Sequence, residues 1–415
     1  MKVCLSITWY ITSILIISLA IKLTKQYKFK QLNLKKIIIS LKSKSKNNIS
    51  PLASLSTTLA AKIGVGSLSG IALAIYFGGI GTMFWIIIIS LLVSINTYYE
   101  CILGIKYRDH EKYIGGPSYY IKNCLGNKKI SLLYSIIVII TYSGLFLSIQ
   151  ANTIVSITNY FNINNHIVII ALIIIVLLII INGIGGVIKV NRILVPIMLI
   201  FYTLLGLYVI INNYMVIPKL FVNVIYEAIN LKSIVPVFLI GMQRAIFISE
   251  SSLGTSAISA SACDNLPESQ GLIEVLGIYI TIFIVCLTTF IIIATSNYNV
   301  INFSSLNGIE LIIYAFNYHF GHLGGIILSL ITILFAFSTI IASYFFGASN
   351  LNIISKKALI KTIFKLCFII TLIVSCYIKA SILWNLTDYF VALLAIINVS
   401  SMLSINKKHK AILKV

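Results

Sequence analysis

The chain has 415 residues, of which 59% are hydrophobic and only 10% charged, with a formal net charge of +21 and a mean hydropathy of +1.03. No water-soluble domain of this size carries such a balance on its surface, so the composition points to a polytopic membrane protein. The positive charge argues against a nucleic-acid partner by its placement, because the lysines fall in loops between apolar runs and not on one basic face.

A helix of about 17 to 25 apolar residues crosses a bilayer. In chain order such runs fall at 4–23, 52–78, 82–105, 131–157, 166–182, 193–213, 233–262, 271–295, 321–348, 359–378 and 382–403, which makes about eleven spans. Lys22, Lys25, Lys28, Lys30, Lys35, Lys36, Lys42, Lys44 and Lys46 follow the first run, and Lys106, Arg108, Lys112, Lys122, Lys128 and Lys129 follow the third. Lys189, Arg192, Lys356, Lys357, Lys361 and Lys365 collect on the same side, as do Lys407, Lys408 and Lys410 of the tail. The positive-inside rule then places the N-terminus outside and the C-terminus in the cytoplasm of a plasma-membrane protein. Lys2 ahead of an apolar run also fits a signal peptide, but no small-residue cleavage site follows and a lysine-rich stretch does. The first run is therefore read as a retained extra helix at 4–23, followed by a basic cytoplasmic segment at 24–50.

Cys4, Cys101, Cys124, Cys263, Cys286, Cys367 and Cys376 are odd in number and contain no Cys-x-x-Cys pair, so they read as small apolar side chains. Between the eighth and ninth runs the amphipathic stretch Leu306 to Phe316 has the pattern of a lid lying across the outer mouth.

Two of the runs are interrupted. The second contains Lys62, Ile63, Gly64, Val65, Gly66, Ser67, Leu68, Ser69 and Gly70. A dinucleotide loop would need an alternating strand before it, and none is present. A Gly-x-x-x-Gly packing seam through Gly66 and Gly70 is the plainer alternative to a binding function. The seventh run carries Arg244 and Glu250 inside a segment that must cross lipid, then Ser251, Ser252, Gly254, Thr255 and Ser256. An ionisable residue in a span costs several kcal/mol unless it faces a cavity or a partner. Glu250 either serves a ligand or pairs with Arg244 or Lys62 to hold the bundle together. Interrupted helices at corresponding positions of two five-span halves, 52–213 and 233–403, point to a secondary transporter with inverted repeats and one membrane domain over 1–415.

At these residues the chain resembles the alanine or glycine:cation symporters. The landmarks are LAAKIGVGSLSGIALAI at Leu59 to Ile75, GGIGTMFW at Gly78 to Trp85, Glu100 with KYR at Lys106 to Arg108, and GGPSYYI at Gly115 to Ile121. IQAN at Ile149 to Asn152, RAIF with Glu250, Leu253 and Gly254, and FAFSTII at Phe335 to Ile341 continue the match. The chain departs from the family pattern at Ser67 and Leu68, where the family has Asn-Ile, and at Thr281, Ser343 and Ile397, where it has Asp, Trp and Pro. The resemblance implies an all-α membrane protein of the leucine-transporter type, a 5+5 inverted repeat with two discontinuous helices and one extra N-terminal helix. It implies sodium-coupled symport of a small neutral amino acid, alanine or glycine, with no cofactor, no catalytic residue and no resident metal. Proton coupling through Glu250, a larger neutral amino acid admitted by Ser343, and a non-transporting relative are the alternatives.

A zwitterion needs a positive terminus for its carboxylate and acceptors for its ammonium. Gly66, Ser67, Leu68 and Gly70, at the start of a half-helix, suit the carboxylate. Phe247, Ser249 and Glu250, with the carbonyls from Ile246 to Ser249, suit the ammonium side. Gln150 is expected on the cavity wall, or in an interhelical hydrogen bond with no ligand. The resemblance implies a sodium site from the carbonyls of Gly64 and Val65 and the hydroxyls of Ser338 and Thr339; in apolar helices such hydroxyls also back-bond within their own helix. His319 and His322 have no third partner in the sequence that would make a metal site.

Overall fold

The computed structural model describes residues 2–43, 49–296 and 308–409, and side chains from residue 7 to residue 408. Lys44, Lys46 and Lys410 of the basic segments, the Leu306 end of the expected lid and the side chain of Cys4 lie outside the described residues. Among the described residues there is no strand, only an isolated bridge between Asp109 and Ile114.

Local signals account for many helix starts. In chain order the helices are α1 (Lys2–Gln26), α2 (Leu34–Ser40), α3 (Pro51–Lys62), α4 (Val65–Gly78), α5 (Thr82–Lys106), α6 (Pro117–Asn123), α7 (Lys128–Val138), α8 (Leu147–Tyr160), α9 (Asn165–Ile180) and α10 (Gly183–Asn212). They continue as α11 (Ile217–Ala228), α12 (Ile234–Ser249), α13 (Thr255–Ser261), α14 (Pro267–Tyr279), α15 (Leu287–Ala294), α16 (Gly308–Phe320), α17 (His322–Ile354), α18 (Ala358–Ser375) and α19 (Ala380–His409). Asn33, Ser50, Asn127 and Asn164 cap α2, α3, α7 and α9 by accepting a backbone N–H, while Pro51, Pro117 and Pro267 stand in the first turn, where a missing N–H costs nothing. Wider π-helical turns, Ile139–Phe146 and Ile280–Cys286, join α7 to α8 and α14 to α15 into continuous rods.

Among the described residues eight helices are long and apolar enough to cross a membrane, and the pair α3 and α4, bent by 41° at its break, makes up to nine. Two further runs expected from the sequence fall on the 16-residue helices α9 and α12. In α5 and in the rod of α14 and α15 72% of the residues in the apolar stretch are buried, whereas in α10 and α18 only 28% and 22% are, and these turn Ile193, Ile197, Ile200, Phe201, Ile363, Leu366 and Ile370 outward. Apolar surface of that extent is tolerated in lipid and not in water. Of the cysteines with described side chains, Cys101, Cys263, Cys286 and Cys376 are buried, Cys124 is half-buried and Cys367 is exposed on α18.

The two breaks solve the problem of free backbone groups by different means. Between α3 and α4 only Ile63 and Gly64 leave the helix. Between α12 and α13 the chain takes a longer detour, with Glu250 (φ 50°), Ser252 (φ 71°) and Gly254 (φ 88°) in the left-handed region. Three neighbouring helices hold that detour in place. Ser251 Oγ donates to the Val93 carbonyl at 2.7 Å, Tyr134 Oη to the Leu253 carbonyl at 2.5 Å and Asn398 Nδ2 to the Ser252 carbonyl at 2.8 Å. Irregular backbone at this depth survives only where protein satisfies it in this way. At Gly254 the positive φ and the ring of Pro117, which a Cβ would strike, leave glycine as the fitting residue.

Candidate substrate and ion site between the broken helices

Gly66, in the first turn of α4, lies against the ring of Phe247, near the end of α12; a Cβ at Gly66 would come 2.5 Å from Phe247 Cε1. The Phe247 ring is stacked on Phe146 at 5.1 Å between centroids, and Phe146 on Tyr142 at 4.7 Å. Phe247 therefore cannot retreat without moving the π-helical turn behind it.

Around the first break the polar groups converge. The Val65 N–H donates to Gln150 Oε1 at 3.1 Å, so an amide oxygen occupies the α4 N-terminus that an anion would otherwise take. Ser67 Oγ donates back to the Gly64 carbonyl at 2.8 Å. Thr339, on α17, is hydrogen-bonded to the Ala60 carbonyl at 2.7 Å and the Phe335 carbonyl at 2.9 Å, and its hydroxyl fills the space a side chain at Gly64 would need. The Gly64 carbonyl, the hydroxyls of Ser67 and Thr339 and the Gln150 amide oxygen, with the Val65 N–H beside them, thus form one buried polar cluster around non-helical backbone. Hard cations are held by carbonyl and hydroxyl oxygens of this kind.

Other expected residues are placed differently. Ser338 is buried, but its hydroxyl donates to the Phe335 carbonyl of its own helix at 2.9 Å. Ser249 Oγ accepts the Ser251 N–H at 3.3 Å, and the Ile246 carbonyl already accepts the Glu250 N–H at 2.9 Å. Glu250 turns to α13, where Thr255 Oγ1 donates to its Oε2 at 2.8 Å. Leu68 is fully buried in the first turn of α4, and a Cβ at Gly70 would have the side chains of Arg244 and Ile248 at 3.9 Å. Ser343, buried on α17, has its carbonyl taken by Ser143 Oγ at 3.0 Å. His319 bonds the Ile292 carbonyl, and burial pushes its imidazole below the usual range. Among the described residues no group of three His, Cys, Asp or Glu is placed to hold a metal ion.

Above Phe247 lies a layer that the sequence only half revealed. Arg244 Nη2 meets Asp388 Oδ2 of α19 at 2.8 Å, and its guanidinium sits 5.4 Å from the Phe247 ring and 5.6 Å from the Trp384 ring. Beyond it a cleft lined by Ser69, Asn152, Ile309 and Trp384 has about 10 Å³ of free volume, room for no more than a water. Trp384, which lines this cleft, also carries the Arg244 guanidinium on its ring. Asp388 falls inside the last apolar run, and the rule that singled out Arg244 would have found it; Ala60, Phe146 and Trp384 contribute a carbonyl and ring faces, which no sequence pattern marks. Removing one partner strands the other charge, so Arg244→Gln is expected to lower the thermal stability of the detergent-purified protein by more than the neutral pair Arg244→Gln with Asp388→Asn. Equal shifts for the single and double variants would show that the pair is exposed to water in solution.

The model of the sodium:alanine symporter family matches residues 1–415. The chain is 28% identical over 370 residues to the amino-acid carrier protein AlsT of Bacillus subtilis, covering 87% of this chain and 79% of that protein. It is 27% identical over 409 residues to the probable sodium/glutamine symporter GlnT of the same bacterium, covering 95% and 85%. It is 25% identical over 375 residues to the sodium/alanine symporter AgcS of Methanococcus maripaludis, covering 86% and 82%. Apolar helices, breaks that face each other and an oxygen-lined cluster suit a membrane carrier of amino acids and not an enzyme. Matched by that model from end to end, the chain belongs to the sodium:alanine symporter family.

Proposed function

We propose that the protein carries a small neutral amino acid, alanine or glycine, into the cell with sodium by alternating access. The observation that carries this reading is the meeting of the two breaks, with Gly66 under Phe247 and Thr339 joined to the end of α3. In this reading 52–213 and 233–403 are the inverted five-span halves, and with the extra helix 4–23, joined to them by the basic segment 24–50, they make about eleven spans. The lysine-rich side faces the cytoplasm of the plasma membrane, with the N-terminus outside. The substrate carboxylate displaces Gln150 from the Val65 N–H and lies along Gly66 to Gly70, with Ser67 and Leu68 beside it. Its ammonium meets the carbonyls near Ser249 and the carboxylate of Glu250, under Phe247. Sodium takes the carbonyls of Gly64 and Val65 and the hydroxyls of Ser338 and Thr339, and the Ala60 carbonyl, already at the Thr339 hydroxyl, joins them. Because one ion then steadies the backbone that also holds substrate, binding of the two is linked.

The test is uptake of labelled alanine into proteoliposomes under an inward sodium gradient, against an equal potassium gradient. Accumulation in sodium alone is expected. Equal uptake in both salts would remove sodium coupling. Failure with alanine and glycine but uptake of glutamine would move the substrate to a larger amino acid.

A further inference from the structure

On the lysine-rich side, away from both breaks, the turn between α9 and α10 and the facing ends of α17 and α18 enclose a cavity of about 270 Å³. Its wall is polar on one side and apolar on the other. Lys361 and Lys365 of α18, Asn352 near the end of α17 and the backbone of Gly183 make the polar side. Tyr344, about 12 Å further along α17 than Asn352, and Phe364 make the apolar floor, their buried rings 5.6 Å apart. Lys361 and Lys365 stand one turn apart on one face of α18, and helical side chains lean toward the N-terminus, so both reach toward the lysine-rich border where α18 begins.

Nothing in the surrounding chain neutralises these two charges. No Asp or Glu occurs between Glu111 and Glu227 or between Glu310 and Asp388, so α9, α10, α17 and α18 contain none. Among the described residues neither lysine is in an ion pair. Lys189 and Arg192 on α10, and Lys356 and Lys357 just ahead of α18, are exposed and add charge of the same sign. Lys365 is the eighth residue of α18, about 10 Å from its start, and is half-buried. A charge that far into a bilayer is costly unless it meets an opposite one. Arg108 and Arg244, also within the fold, meet Asp264 and Asp388; Lys361 and Lys365 meet no carboxylate.

The backbone at the cavity favours an anion too. Asn182, at the N-cap of α10, makes no side-chain cap, and Gly183 (φ 65°) has open space where a Cβ would stand, so the first N–H groups of this 30-residue helix are left for another acceptor. The apolar floor then decides what kind of anion. Beyond the cavity Ile363, Leu366 and Ile370 of α18 and Ile170, Ile174 and Leu178 of α9 are exposed, surfaces that suit hydrocarbon chains. We propose that the cavity holds the phosphodiester headgroup of an anionic phospholipid from the leaflet on the lysine-rich side. The phosphate sits between Lys361, Lys365 and the start of α10, and the acyl chains run down the outer faces of α9 and α18. Seated there, the lipid ties α18 and the α9–α10 turn to α17, the helix that carries Ser338 and Thr339.

Native mass spectrometry of the detergent-purified protein, titrated with phosphatidylglycerol or with phosphatidylcholine of the same chains, reads the site directly. The first phosphatidylglycerol is expected to bind at least about 10-fold more tightly than phosphatidylcholine, and Lys361→Gln with Lys365→Gln should remove that preference. Lys356→Gln with Lys357→Gln takes the same charge from the flanking turn and should leave the preference within about two-fold. Lys361→Arg with Lys365→Arg, which keeps the charge, should retain it and shows that the fold accepts change at these positions. No preference in the wild type, or equal losses in the two glutamine pairs, would overturn the site, the second by showing that the basic border attracts anionic lipid diffusely. Inorganic phosphate should neither displace the lipid nor raise the melting temperature as the lipid does. Displacement or an equal rise with phosphate alone would assign the cavity to a free anion and overturn the lipid. None of these readings uses alanine or sodium, so they stand apart from the outcome of the uptake test.

Discussion

Gly66→Ala should raise the half-saturating alanine concentration or lower uptake by about 100-fold, while the corresponding Gly70→Ala leaves transport within about two-fold. The asymmetry comes from what each methyl would meet. At Gly66 it would stand 2.5 Å from Phe247 Cε1, and the ring is backed by Phe146 and Trp384, so the clash cannot be relieved locally. At Gly70 the nearest side-chain atoms are at 3.9 Å, an ordinary contact. Both positions lie inside α4 with no left-handed backbone, so alanine itself suits them. A glycine seam that only packs helices would make the two substitutions equivalent, and equal uptake by both variants would return Gly66 to that role. Size-exclusion profiles of the two purified proteins separate loss of transport from loss of fold.

Thr339→Val should lower apparent sodium affinity by at least about 10-fold, because valine keeps the shape and removes an oxygen that a hard cation needs. The hydroxyl joins the Ala60 carbonyl of α3 to α17 and fills the space beside Gly64, so its loss acts on the unwound backbone directly. Ser338→Ala is expected to have the smaller effect, since that hydroxyl is engaged with Phe335 of its own helix. Uptake measured against sodium concentration in the two variants decides the order. A larger loss at Ser338 would mean that its hydroxyl turns toward the ion when sodium enters.

Much of the architecture could be read from the chain. Hydropathy placed eight or nine of the expected spans among the described residues, because backbone groups in lipid must be satisfied within a helix and the required apolar length is long and conspicuous. Gly64 and Gly66 in one run, and Glu250 with Gly254 in another, marked the breaks, since glycine relieves left-handed and close-approach constraints that other residues meet at a cost. Span counting was less secure where helices are short: α9 and α12 have 16 residues each, and the wider turn at Ile139–Phe146 has no signature in composition.

What the sequence determined by itself was local: the membrane class, the sites of chain breakage and the presence of ionisable groups where lipid would penalise them. Tertiary structure alone decided partnership. Arg244 pairs with Asp388, 144 positions away, and not with Glu250. Gln150 takes the N–H of Val65, Thr339 the carbonyl of Ala60, and Lys62 stands among carboxylates of three other segments. Periodicity reports which face of a helix is apolar, but the angles at which helices cross set which polar atoms come within hydrogen-bond reach. Those angles follow from the packing of many side chains at once, and that is why the ion pair, the oxygen cluster and the buried carboxylates appear only when the helices are assembled.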